Sequence, residues 1–310
     1  MKKLFFLLIF GCCFTIILFA QDTPTVNDSF FKEDSINSDI SVKFRKKADE
    51  VISSIFKPVP TLNNADSIIK AFDNLPSFGI YKNNYVVTGT SIHQKPDRYN
   101  SDAKFQISIS QHLTNSVLPL KTYLFLTYTQ LAFWDIYKES FPFGDINYNP
   151  TIGLGKVLVH DNRFLGTMEF HLEHESNGRD GDDSRSWNKI SFSSLFVLDN
   201  HWSTQAKLWV PIVDKETNRD IVNYKGWGHL AVEYKNKKKY NVGLLLTKRA
   251  GNFFDYNIVA NFSYRLFERE NQYLFLEYYN GYGENMLFYN QYRHMIRAGF
   301  IIQPTFLQSN

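Results

Sequence analysis

The chain has 310 residues, with 34 Lys and Arg set against 31 Asp and Glu, for a net charge of +3. That balance leaves no basic field for nucleic acid. A mean hydropathy of -0.31 excludes a bundle of membrane helices, which would need several apolar runs of about 20 residues. The 28 Phe and 18 Tyr instead fit strands that alternate apolar and polar side chains.

The chain opens on Lys2-Lys3, an apolar run from Leu4 to Ala20, and then Gln21-Asp22. This is the pattern of a secretory signal over residues 1–20. Leu18 is not the small residue a cleavage site prefers, which leaves an uncleaved anchor as an alternative, and Gly11-Cys12 leaves a weaker lipoprotein one. Cys12 and Cys13 both fall inside this segment. A cleaved chain would hold no cysteine, and so no disulfide, thiol nucleophile or Cys-zinc site. Residues 21–74 read as a polar extension rich in Ser, Asp, Asn and Lys. Within it, Val42, Phe44, Ala48, Val51, Ile52 and Ile55 have helical spacing and stop before Pro58.

From about residue 80 the period changes to two. Phe254, Tyr256, Ile258, Ala260, Phe262, Tyr264 and Leu266 share one parity; Asp255, Asn257, Asn261, Ser263 and Arg265 share the other. About twelve such segments are expected, near 83–92, 103–112, 122–131, 151–160, 164–176, 187–199, 203–213, 226–236, 239–248, 253–266, 271–280 and 292–303. Most have the length of a tilted strand crossing a bilayer, and the connections alternate between short and long. Phe141, Phe143, Trp187, Trp202 and Tyr282 stand near strand ends, where an aromatic girdle belongs. The reading is all-β: a 12-stranded antiparallel transmembrane β-barrel over residues 75–310, preceded by a short polar extension. A soluble β-sandwich or lipocalin-like barrel would also alternate, but with its apolar face inward.

Met168, Phe170, Leu172, His174 and Ser176 run in phase, opposite Glu169, His171, Glu173 and Glu175. On the next strand Asn188 shares the parity of Ile190 and Phe192. Three polar residues therefore sit on the lipid-side parity of consecutive strands, where polarity is costly unless the groups satisfy one another. A Ser–His–Asn chain would do so, and it has the form of a nucleophile, a base and an orienting group. Three unrelated polar residues of an interfacial girdle would give the same pattern. His171 and His174 face opposite sides and cannot share a metal. No His-Glu-x-x-His or Gly-x-Ser-x-Gly motif occurs. Asp180, Asp182 and Asp183 offer hard oxygen ligands suited to calcium in the intervening loop, without EF-hand spacing; a solvated turn would look the same.

At His174-Glu-Ser176-Asn-Gly178-Arg179 and Ser184-Arg-Ser-Trp-Asn188 the chain resembles outer-membrane phospholipase A, a calcium-dependent lipase built as a twelve-stranded barrel. Tyr128-Thr129-Gln130, Ser140-Phe-Pro142-Phe143, Asn147-Tyr148-Asn-Pro150 and Gly281-Tyr282-Gly283-Glu284 extend the resemblance over about 75–305. It implies Ser176 as nucleophile, His174 as general base, Asn188 as the residue orienting it and the Gly178 N–H as an oxyanion donor. It further implies calcium held by Arg179, Ser184 and Ser140 of a second subunit, hence a homodimer, with Gln130 buried at its interface. The expected activity is hydrolysis of acyl esters of phospholipids and lysophospholipids at the bacterial outer membrane, with the site toward the outer leaflet. The loop departs from the family at Gly181, where an Asp can stand. A non-catalytic pore or scaffold is the alternative function.

Overall fold

A computed structural model describes residues 65–213, 217–236, 239–267 and 272–303. The expected signal and the helix over 42–56 lie outside the described residues. The strands are β1 (Phe78–Ile80), β2 (Asn84–Ser91), β3 (Ser101–His112), β4 (Thr122–Trp134), β5 (Phe143–His160), β6 (Arg163–Ser176) and β7 (Ser186–Val197). They continue with β8 (Trp202–Val213), β9 (Gly228–Asn236), β10 (Tyr240–Lys248), β11 (Tyr256–Arg265), β12 (Gln272–Gly281) and β13 (Arg293–Ile302). From β2 onward each pairs with its sequence neighbour, and β13 pairs back onto β2 to close the sheet. β1 meets β3 at Ile109–Gln111 and β2 meets it at Ser101–Gln106. The two therefore share one place in the wall, and the barrel is twelve-stranded.

The two-residue period sorts the side chains as a membrane barrel requires. Leu126, Ile152, Phe170, Leu172, Ile190, Val242, Leu276 and Phe300 point outward and are exposed. This apolar outer face removes the soluble-barrel alternative. The other parity fills the lumen with charge. Arg297 grips Asp102 with two hydrogen bonds, at 2.7 and 2.9 Å, and reaches Glu284 at 2.6 Å; Lys104 lies 2.8 Å from Glu277 and 3.2 Å from Glu284. A second cluster joins Glu173 to Lys207 at 2.6 Å and Glu175 to Lys189 and Lys225, each at 2.9 Å.

Three differences from the sequence expectation have physical causes. β5 begins at Phe143 rather than near 151, because Asp145 and Asn147 turn inward and accept hydrogen bonds from the Met286 and Leu287 N–H groups. The loop over 282–292 thereby folds into the barrel mouth. Trp187 does not belong to the aromatic girdle: it is 1% exposed, on the inward parity, and its indole N–H donates to Glu175 at 2.9 Å. Phe141, Phe143 and Trp202 are exposed at strand ends as expected. Among the described residues two short helices also occur. In α1 (Ala65–Asp73), Ile68 and Phe72, four residues apart, are buried, and Phe72 stacks on Tyr123 and His112 among Val157, Val159 and Phe164. α2 (Ile221–Lys225) sits at the opposite end, with Ile221 packed against Trp187, Met286 and Tyr289.

Buried charges depend on their partners, so removing one member of a cluster costs more than the net value of its bonds. Arg297→Met leaves Asp102 and Glu284 without their guanidinium. We expect it to lower the stability of the detergent-purified barrel by about 3–5 kcal/mol, read as a drop in the denaturation midpoint.

Candidate active site

The site is built on the paired ends of β6 and β7, where His174 faces Asn188 and Ser176 faces Ser186. One local feature on β5 decides the geometry. Pro150 lies in register with His174 and has no N–H to give to the ladder; the Asn149 amide donates instead to the His174 carbonyl at 2.8 Å. The backbone groups of His174 therefore turn toward β5. Its pair with Asn188 is of the non-hydrogen-bonded kind, in which facing Cα atoms stand about 4.5 Å apart and side chains come closest. Accordingly, His174 Nδ1 lies 2.9 Å from Asn188 Oδ1. A carboxamide oxygen only accepts, so Nδ1 is the donor of this pair, and in the neutral imidazole that leaves Nε2 as the acceptor.

Ser176 shares this outward face, two residues along. Its hydroxyl makes no hydrogen bond to His174 in this structure; such contacts commonly tighten only around substrate. Both His174 and Asn188 are exposed. They lie at one side of a shallow outward groove of about 640 Å³ that runs past Ile109, Leu126, Ile152, Leu172 and Ile190.

Gly178 follows the serine with φ +67, and a Cβ there would stand 2.8 Å from the Tyr148 ring. Both facts demand glycine. Among the described residues its N–H has no acceptor. The loop beyond it is organised by Asn177, which is 4% exposed. Its carboxamide donates to the Asp183 carbonyl at 2.9 Å and accepts from Arg185 N–H at 2.9 Å. This folds the chain back so that Arg179 and Ser184 share one loop. The Ser184 carbonyl already accepts from the Arg185 guanidinium at 2.8 Å, which leaves its hydroxyl as the free oxygen. The Arg179 carbonyl has no donor among the described residues. Asp180, Asp182 and Asp183 are exposed around them. These are hard oxygen donors, the type calcium takes. No group of three or more His, Cys, Asp or Glu that could hold a metal occurs among the described residues.

Ser140 stands exposed on the neighbouring loop with φ +66, and makes no hydrogen bond to the 177–185 loop. Beside it the Arg179 guanidinium donates to the Gly144 carbonyl, at the start of β5, at 2.7 Å. Gln130 lies on the outward face of β4, where its amide oxygen accepts from the Tyr128 hydroxyl at 3.1 Å. Sequence reasoning missed the supports behind these residues: Asn149, Asn177, Asn218 and Lys225. Pro150 was the one visible signal, since a proline within a strand leaves a ladder position to be filled from elsewhere.

A family model described as Phospholipase A1 matches residues 71–302. The Phospholipase A1 of Salmonella typhimurium is 29% identical over 261 residues, which is 77% of this chain and 86% of that protein. That of Escherichia coli K12 is 29% identical over 216 residues, 66% of this chain and 71% of that protein. The crystal structure of a calcium-bound dimer of the Salmonella typhi outer membrane phospholipase superposes with a TM-score of 0.66 at 24% identity, covering 77% of this chain and 98% of its own; this likeness is one of fold. The outer membrane phospholipase A of Escherichia coli gives 0.65 at 23% identity, over 74% of this chain and all of its own. With a barrel of that architecture and a family model spanning its whole wall, the chain belongs to the phospholipase A1 family.

Proposed function

We propose that this protein hydrolyses acyl esters of phospholipids and lysophospholipids in the outer membrane, exported by the segment 1–20 and with its site toward the outer leaflet. The observation that carries the reading is the His174–Asn188 hydrogen bond on the lipid-facing side of the wall, at the edge of an apolar groove. A polar pair on that face serves a substrate that is itself the surrounding solvent. Ser176 attacks the ester carbonyl while His174 Nε2 takes its proton, and the same nitrogen then protonates the departing alkoxide. Asn188 holds the imidazole in the needed tautomer, although as a neutral group it stabilises imidazolium less than a carboxylate does. The free Gly178 N–H donates to the oxyanion of the tetrahedral intermediate. Water enters from the rim to release the fatty acid and restore Ser176.

Calcium, held by the Arg179 carbonyl, Ser184 and Ser140 of the partner subunit, would add positive charge beside that oxyanion. The exposure of Ser140 supports completion of the site by a homodimer. Gln130 and Tyr128, a polar pair on the lipid side of β4, fit the same contact. The charge-filled lumen speaks against a pore, since ion pairs such as Arg297–Asp102 are buried on the inner face of the wall, in space a channel would need open.

Detergent-purified protein should release fatty acid from phospholipid micelles when calcium is present and lose that activity with EDTA, and Ser176→Ala should be inert under both conditions. No release by the unmodified protein, or an equally active mutant, would sink the proposal. Gly178→Ala keeps the N–H, but its methyl meets the Tyr148 ring at a positive φ and shifts that N–H off the oxyanion; we expect a folded barrel with activity reduced about 10²–10³-fold, the scale of one oxyanion donor put out of place. Crosslinking across a calcium titration should show dimer and activity rising together.

A further inference from the structure

The strand pair that carries the site ends in an unusual way. Ser176 lies in register with Tyr148 on β5 and with Ser186 on β7. By the alternation that leaves His174 and Asn188 without mutual backbone bonds, Ser186 directs its N–H and carbonyl away from Ser176, toward β8. Trp187 pairs with Val213 of β8. At Ser186 the backbone groups bond instead to a side chain, that of Asn218, which is 1% exposed. Its amide donates to the Ser186 carbonyl at 2.8 Å and its oxygen accepts from the Ser186 N–H at 3.2 Å. One side chain thus imitates a strand residue, at the position directly across from Ser176.

The same loop grips the other strand as well. Lys225 lies 2.9 Å from Glu175, the inward residue between His174 and Ser176. Glu175 also receives the Trp187 indole and Lys189 at 2.9 Å each. Between the two contact points Ile221, fully buried, anchors the loop against Trp187, Met286 and Tyr289.

We infer that Asn218 is a positioning residue for Ser176, and that the loop over 217–225 is the element through which it acts. It touches neither substrate nor any reacting atom. It fixes the end of β7 against β6, and so sets where the serine hydroxyl stands relative to His174. An end left unpaired frays, because a strand terminus without ladder partners opens at little cost. Such fraying would leave the bulk of the barrel intact and spoil the alignment of the nucleophile. This inference rests on the proposed role of Ser176.

The experiment compares full-length unmodified protein, Asn218→Ala, Asn218→Asp and Arg297→Met, all in detergent with calcium. It reads kcat, KM, the denaturation midpoint and the rate at which an alkylsulfonyl fluoride inactivates the serine. For Asn218→Ala we expect kcat and the inactivation rate to fall at least 10-fold together, with KM within 2-fold. Asn218→Asp keeps the acceptor for the Ser186 N–H and loses the donor, so it should fall between Asn218→Ala and the unmodified protein. Arg297→Met serves as the stability control: its midpoint drops, while the folded fraction keeps the unmodified kcat and inactivation rate. The inference is overturned if Asn218→Ala keeps the unmodified inactivation rate. It is equally overturned if both Asn218 variants fail to fold, since the side chain would then support the barrel as a whole. An inactive unmodified protein would instead remove the hydrolase reading, a result separable from either outcome for Asn218.

Discussion

Everything at this site depends on the two-residue period of β6 and β7. The same run of backbone that shows His174 and Ser176 to lipid shows Glu173 and Glu175 to the lumen, and Asn188 likewise alternates with Trp187 and Lys189. Reactive groups and the ion pairs that hold them are therefore consecutive residues on opposite sides of one sheet. The inner layer cannot slip without the outer one. A register shift of a single residue would bury the imidazole among lysines and expose carboxylates to hydrocarbon.

The wall also shows how a sheet tolerates irregular residues near a site. Two places in the ladder there are not filled by backbone, one opposite His174, because Pro150 has no N–H, and the other beside Ser186. Each is filled by an asparagine carboxamide, Asn149 in the first case and Asn218 in the second. The amide group carries a donor and an acceptor in one plane, as a peptide does, so it can stand in for a residue of the ladder. Loss of regular pairing at the rim makes room for loops without leaving buried polar groups unsatisfied.

Much of this was legible in the sequence. Strict alternation located the strands of the wall, and parity alone put His174, Ser176 and Asn188 on one face. What parity could not give was register: that His174 stands opposite Asn188, rather than two residues away, depends on how the 177–185 loop turns, and that is set by the buried Asn177. Composition misled in two places. Gly144 to Pro150 has the residues of a turn, yet it is strand, because Asp145 and Asn147 hold the 282–292 loop. Trp187 has the residue type of a girdle, and its own parity with Lys189 was the better guide. Asn218 carried no signal, since a side chain that imitates a strand is defined by a loop fold made from distant parts of the chain.

The helix α1 closes the end of the barrel away from the site. The pocket for Phe72 is made of His112, Tyr123, Val157 and Phe164, which belong to four different strands. It does not exist until those strands have paired. The helix Ala65–Asp73 is thus among the last elements that can find its place. Synthesis order and assembly order run in opposite directions, and the amphipathic surface of Ile68 and Phe72 must stay unpartnered until the wall beside it has formed.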